Sequence, residues 1–152
     1  MNRAAALADA LARAFDLPPS GFVGIVDNLL HLGRGDDLEL AWRSNACHAR
    51  IRQGTVEATL DLPVRKGVFR AMLARVAALC NERQPGSVSP YGGRGEIHLG
   101  PGPQAVFSPD FINTAAEQSL RLAERNRDCM SARDRHLCSG EVDSGTALPP
   151  PQ

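Results

Sequence analysis

Cys47 and His48 are the residues of this chain that come nearest to a nucleophile beside its base. A thiol is activated when a neighbouring imidazole takes its proton, so the two side chains must meet. These two are adjacent in a stretch that alternates like a strand, and adjacent strand residues point to opposite faces. The spacing therefore argues against a dyad. Zinc ligands usually come in pairs about two to four residues apart on ordered elements. Cys47, Cys80, Cys129 and Cys138 are scattered, and Cys129, His136 and Cys138 fall in a C-terminal stretch without periodicity. No metal site is expected. Cys80 lies on an apolar helical stripe, where a free cysteine acts as a small core hydrophobe. His31 and His98 are expected at the surface, without a partner readable from sequence.

Phosphate chemistry is also poorly served. A phosphate-binding loop ends in Gly-Lys-Ser or Gly-Lys-Thr and opens a helix. The single lysine is Lys66, and no such motif surrounds it. Gly92, Gly93 and Gly95 resemble a cradle, but a strand pattern follows them in place of a helix N-terminus. Glu39, Glu57 and Glu96 read as strand carboxylates facing water, and nothing in the sequence brings two of them together. These absences predict a protein with no catalytic residues, no cofactor and no enzymatic turnover of its own.

The arginines offer more. Arg50 and Arg52 are two apart and share one strand face. Arg65, Arg75, Arg83 and Arg94 gather around the longest predicted helix and the loop after it. Guanidinium groups suit phosphates and partner carboxylates. A solvated face is the plain reading of such charges; contact with a partner's nucleotide or acidic surface is the functional one.

The totals set bounds on both. A chain of 152 residues makes one domain, and 17 basic against 17 acidic residues exert no global pull toward nucleic acid or anionic lipid. Arg3, Asp9 and Arg13 interrupt the opening MNRAAALADALARAF, so it does not read as a secretory signal. No apolar run approaches the roughly 18 residues of a membrane span. A cytoplasmic protein with reduced cysteines and no membrane insertion is expected.

The elements that must position these residues follow from periodicity. A first helix is predicted over residues 3–16, with Leu7, Leu11 and Phe15 on one face, and Leu17-Pro18-Pro19 ends it. Ser20 stands where an N-cap belongs before a second helix at 21–32, stopped by Gly33 and Gly35. Strands follow at Leu38–Trp42, from Cys47 to Arg52 and at Thr55–Asp61, turning at Ser44-Asn45 and at Gln53-Gly54. Pro63 fits the first turn of the longest helix, about 64–83, whose stripe is Phe69, Met72, Leu73, Val76, Leu79 and Cys80. Arg75 falls at its margin. Residues 84–95 read as a Gly/Pro loop. Strands are then expected at 96–99, at Ala105–Ser108 and at Ser119–Ala123. The order implies an α+β fold, an antiparallel sheet covered on one face by helices, with the long helix supplying most of the cover. The expected organisation is an N-terminal helix and Pro-rich link over 1–20, the domain over 21–124 and a disordered tail over 125–152.

The stretch from about 22 to 124 also carries a series of short motifs: DNLLHLGRG before DDLEL, ARIRQG at the second hairpin, LP before LARVAAL, RQPGSVSPYGGRG before EIHL, and NTAAEQSLRL. In this order they resemble the PAS-like domain that precedes the ATPase core in the ATPases of type II secretion and type IV pilus assembly. Gln53, Ala116 and Pro90-Tyr91-Gly92 depart from that family's usual residues, and no Walker loop accompanies the motifs. The resemblance implies a PAS-like fold and a non-catalytic interaction or regulatory domain that docks to a larger assembly: a secretion or pilus ATPase, or further copies of this chain. It implies that Arg50, Arg52 and Arg75 face the partner or its nucleotide. A sensory module holding a small molecule against a PAS-like sheet is the alternative.

Overall fold

The computed structural model describes residues 2–16, 21–100 and 105–125. The tail expected from 125 onward, the Ser20 cap, and Cys129, His136 and Cys138 lie outside them, apart from Arg125 itself. The described residues form three helices and seven strands: α1 (Arg3–Ala14), α2 (Gly21–Leu32), β1 (Asp37–Arg43), β2 (Ala46–Gln53), β3 (Val56–Leu62), α3 (Lys66–Cys80), β4 (Gly92–Arg94), β5 (Ile97–Leu99), β6 (Ala105–Asn113) and β7 (Gln118–Glu124). The expected α+β class is present, with an antiparallel sheet and helices packed against it.

Local chemistry explains most of the boundaries. The Asn2 side chain accepts from the Ala4 N–H at 3.2 Å and so caps α1. Between β1 and β2, Ser44 and Asn45 both take positive φ, 49° and 63°, which matches the right-handed twist of the strands they join. The next turn sits one residue later than expected. Gln53 still pairs with Val56, so Gly54-Thr55 makes the turn, with Gly54 at φ 60° as its first central residue.

The long helix is shorter than its pattern suggested, beginning at Lys66 and ending at Cys80. Pro63 is outside it, because Val64 N–H folds back to Leu62 O at 2.8 Å and turns the chain before the helix starts. Two strands differ from expectation. Residues 92–94, read as loop, form β4. β6 runs five residues past Ser108, through Pro109, where a proline normally argues against a central strand. Here the missing N–H would face the break between β5 and β4, so no ladder bond is lost, and the Pro109 carbonyl accepts from Gly95 N–H at 3.0 Å.

Across the sheet the order is β3-β2-β1-β7-β6-β4, with β5 also on β6. The first and last strands are thus neighbours at the centre, and α3 carries the chain from one edge to the other. The cover is divided between α1 and α3 and is not supplied mainly by α3. α1 packs on β3 and β2, α3 packs on β6 and β7, and α2 lies against both helices. Leu7 and Leu11 of α1 belong to the same apolar cluster as Leu38, Leu40, Ile51, Phe69, Val76, Phe107, Phe111 and Leu122. Strand residues of that parity enter the core, and those between them point to the other face. Among the described residues, no helix is long and apolar enough to cross a membrane.

One acid is closed in at the α2–β1 junction. Asp36 is buried, accepts from the Gln53 side chain at 3.2 Å, and has one oxygen without a partner among the described residues. Loss of water around it raises its carboxyl above the ordinary range, against the pull of Gln53 and Arg3.

Candidate functional site

The face of the sheet opposite the three described helices gathers most of the charged strand residues. Register sets them in rows. Arg50 is opposite Glu39, Glu39 opposite Arg121, Arg121 opposite Asp110, and Asp110 opposite Arg94. The result is a line of alternating charge across five strands, β2 to β4. Glu39 lies 3.8 Å from Arg50 and 3.3 Å from Arg121, and Asp110 lies 2.8 Å from Arg94. Arg50 also reaches diagonally to Glu57 at 3.6 Å. Opposite charges facing each other across strands each stabilise the sheet by roughly 0.2–1 kcal/mol, less where water and salt screen them.

Two rows flank this one. In the first, Asp61, His48, Ala41, Ser119 and Ile112 are successive cross-strand partners. The His48 ring sits between two acceptors, with Nδ1 at 2.5 Å from Asp61 Oδ1 and Nε2 at 3.1 Å from the Arg43 carbonyl. In the second, Arg52 pairs with Asp37 at 2.5 Å, and that bond holds the guanidinium proton more firmly than usual. Ala41 and Ser119 are small, so long side chains on either side of them surround a broad concavity of about 920 Å³.

Arg50 and Arg52 do share this face, as their spacing predicts. Arg75 does not join them. It belongs to α3, on the other side of the sheet, half-buried and with its Nε sealed from water and without a hydrogen-bond partner among the described residues. The arginines gathered in sequence around α3 also separate in space: Arg83 meets His98 at 2.7 Å, while Arg94 lies on the open face. His98 is half-buried, not exposed, and His31 bonds to the Asp27 carbonyl at 2.7 Å. Glu39 and Glu57, which nothing in the sequence linked, both reach Arg50. Arg121 and Asp110 were missed. Asp110 lies beyond Ser108, the end of the strand expected there, and Arg121 gains its role from a register that only the fold sets.

The cysteine–histidine pair is separated as expected. Cys47 is fully buried in the core while His48 faces outward. Burial, assisted by Asp61, pushes the Cys47 thiol up to about 12, and burial, against the pull of a backbone hydrogen bond, pushes Cys80 to about 11. Both stay protonated at neutral pH, and neither is a nucleophile. Native protein treated with a thiol reagent near pH 8 should label at Cys47 on the order of a thousandfold more slowly than unfolded chain. Peptide mapping by mass spectrometry reads this site by site; rapid native labelling of Cys47 would show that β2 opens. Among the described residues, no three His, Cys, Asp or Glu side chains converge as metal ligands.

No family model matches this chain, and no curated protein matches it either.

Proposed function

We propose that this chain is a non-catalytic interaction or regulatory domain, and that the open face of its sheet docks it to a larger protein assembly. The observation that carries this reading is the row Arg50–Glu39–Arg121–Asp110–Arg94 on a face that no helix among the described residues covers. Arginine is enriched where proteins meet, because its planar donors pair with carboxylates and its stem covers apolar surface. The row alternates in sign, so it favours a partner of matching, mixed charge over a polyanion. The motif resemblance to the domain preceding secretion-ATPase cores supports docking to a motor of that kind.

A ligand-binding sheet would hold its molecule between sheet and helices. Phe69, Phe107, Phe111, Met72 and Leu73 fill that layer and are almost wholly buried. The concavity on the open face is broad, and its charged groups are paired with one another. These features favour docking over small-molecule sensing.

The test is affinity capture from native lysate, with wild type beside the Arg50→Ala/Arg52→Ala/Arg121→Ala variant. The variant should keep its circular dichroism and melting profile, since exposed arginines cost within about 0.5 kcal/mol each. It should lose at least one wild-type partner, because truncating a desolvated arginine at an interface costs about 2 kcal/mol or more. Identical partner lists would remove the open face from the reading, and ATP hydrolysis by the clean protein would overturn its non-enzymatic character.

A further inference from the structure

The two edges of the sheet are built differently. At one end β4 and β5 have three residues each and are separated by Gly95-Glu96, with Gly92 and Gly93 at φ 146° and 145°. Short, interrupted strands make an edge unfit for pairing. At the other end β3 runs unbroken through seven residues, VEATLDL, with no proline, glycine or lysine. Gln53 and Val56 pair across a two-residue turn, so Val56, Ala58, Leu60 and Leu62 direct their main-chain groups to β2. Glu57, Thr59 and Asp61 direct theirs outward. The same alternation holds at the far side of the sheet, where Arg125 N–H bonds to Val106 O and Gly95 N–H to Pro109 O. Among the described residues, nothing pairs with the outward main-chain groups of Glu57, Thr59 and Asp61.

We infer that the β3 edge is a docking site for an extended segment of a partner protein, which adds to the sheet as its next strand. Main-chain bonds to Glu57, Thr59 and Asp61 hold the segment, and side chains select it. The Glu57 and Asp61 side chains are 46% and 68% exposed, and they flank Thr59 on the open face. On the helix side Val56 and Leu60 are half-buried. The fitting segment alternates basic with apolar residues, placing lysine or arginine opposite the two acids. A second copy of this chain fits poorly. Two β3 strands paired about Thr59 would set Glu57 of each copy opposite Asp61 of the other, and like charges directly opposite destabilise a strand pair. The two acids therefore reject self-association while admitting a basic strand. This inference rests on the edge alone and does not require the arginine face.

The probe is the full chain with a fluorescent peptide, Val-Lys-Val-Thr-Val-Arg-Val. In the free protein the amides of Glu57, Thr59 and Asp61 should exchange rapidly by nuclear magnetic resonance, while those of Ala58 and Leu60 are protected. Peptide should bind and protect the three outward amides. Thr59→Pro removes the central outward donor without touching the ladder to β2, a position where edge strands accept proline. It should weaken the peptide by at least about tenfold. Glu57→Lys/Asp61→Lys should reverse the preference toward Val-Glu-Val-Thr-Val-Glu-Val. Absence of binding overturns the inference. So does protection of the three amides in the free chain, which would mean the chain's own segment fills the edge. Equal binding by wild type and a folded Thr59→Pro overturns it too. If Thr59→Pro fails to fold, the charge-reversed variant decides, and an unchanged preference for the basic peptide rejects the edge. Binding lost only in the Arg50→Ala/Arg52→Ala/Arg121→Ala variant would place the segment on the open face instead.

Discussion

Val76→Asp should unfold this protein or lower its melting temperature by more than about 10 °C. Val76 is 2% exposed at the middle of α3, within the cluster that joins α3 to the sheet. A carboxylate placed there has no basic partner among the buried residues, which are apolar except for Asp36, Asn113 and Gln118. Burying an unpaired charge costs several kcal/mol even after the group shifts its protonation, and the loss of valine packing adds about 1 kcal/mol or more. A domain of this size holds only about 5–15 kcal/mol in reserve, so a loss of about 4–5 kcal/mol or more exhausts the lower end of that range and lowers the melting temperature by more than about 10 °C at the upper. Thermal melting followed by circular dichroism measures it. Ala74→Asp is the control: Ala74 is on the exposed side of the same helix, and its substitution costs only helix propensity, about 0.5–0.7 kcal/mol. A Val76→Asp protein as stable as Ala74→Asp would mean that α3 presents a different face to the sheet.

Gly92→Ala should cost about 2–4 kcal/mol, combining backbone strain with overpacking. Gly92 has φ 146°, where a side chain is strained, and an added Cβ would come within 2.8 Å of the Phe111 carbonyl oxygen and 3.3 Å of the Ile112 Cα. Both are backbone atoms of β6, so no rotamer change relieves the clash; β4 must move off its partner. Gly54→Ala separates the two contributions. Gly54 has φ 60° but open space around its Cβ position, so its substitution should cost about 1 kcal/mol from conformation alone. Urea unfolding of both variants gives the comparison. Equal losses at the two positions would show that β4 is not held against β6 as described.

These glycines illustrate how differently the sequence and the fold bear on function. Three glycines within four residues marked a place where side chains are unwelcome, and the lack of a following helix removed the phosphate reading. That Gly92 and Gly93 belong to a strand depended on β6, more than fifteen residues away. Local chemistry determined much of the rest: the two hairpins, because Asn45 and Gly54 tolerate positive φ; the buried face of α3, because its apolar residues recur at helical spacing; and the shared face of Arg50 and Arg52, because strand side chains alternate. It also determined that Cys47 and His48 part company. Tertiary structure decided what those faces meet. Pairing β1 with β7 set Glu39 beside Arg121, and pairing β7 with β6 set Arg121 beside Asp110. No local pattern encodes either contact, since they join segments about eighty and eleven residues apart whose register is fixed by packing on the opposite face. The same packing placed Arg75 across the sheet from Arg50, since α3 buries the stripe at whose margin Arg75 lies. Sequence alone determined which residues could be exposed and charged; the sheet order decided which of them became neighbours, because cross-strand distance is independent of distance along the chain.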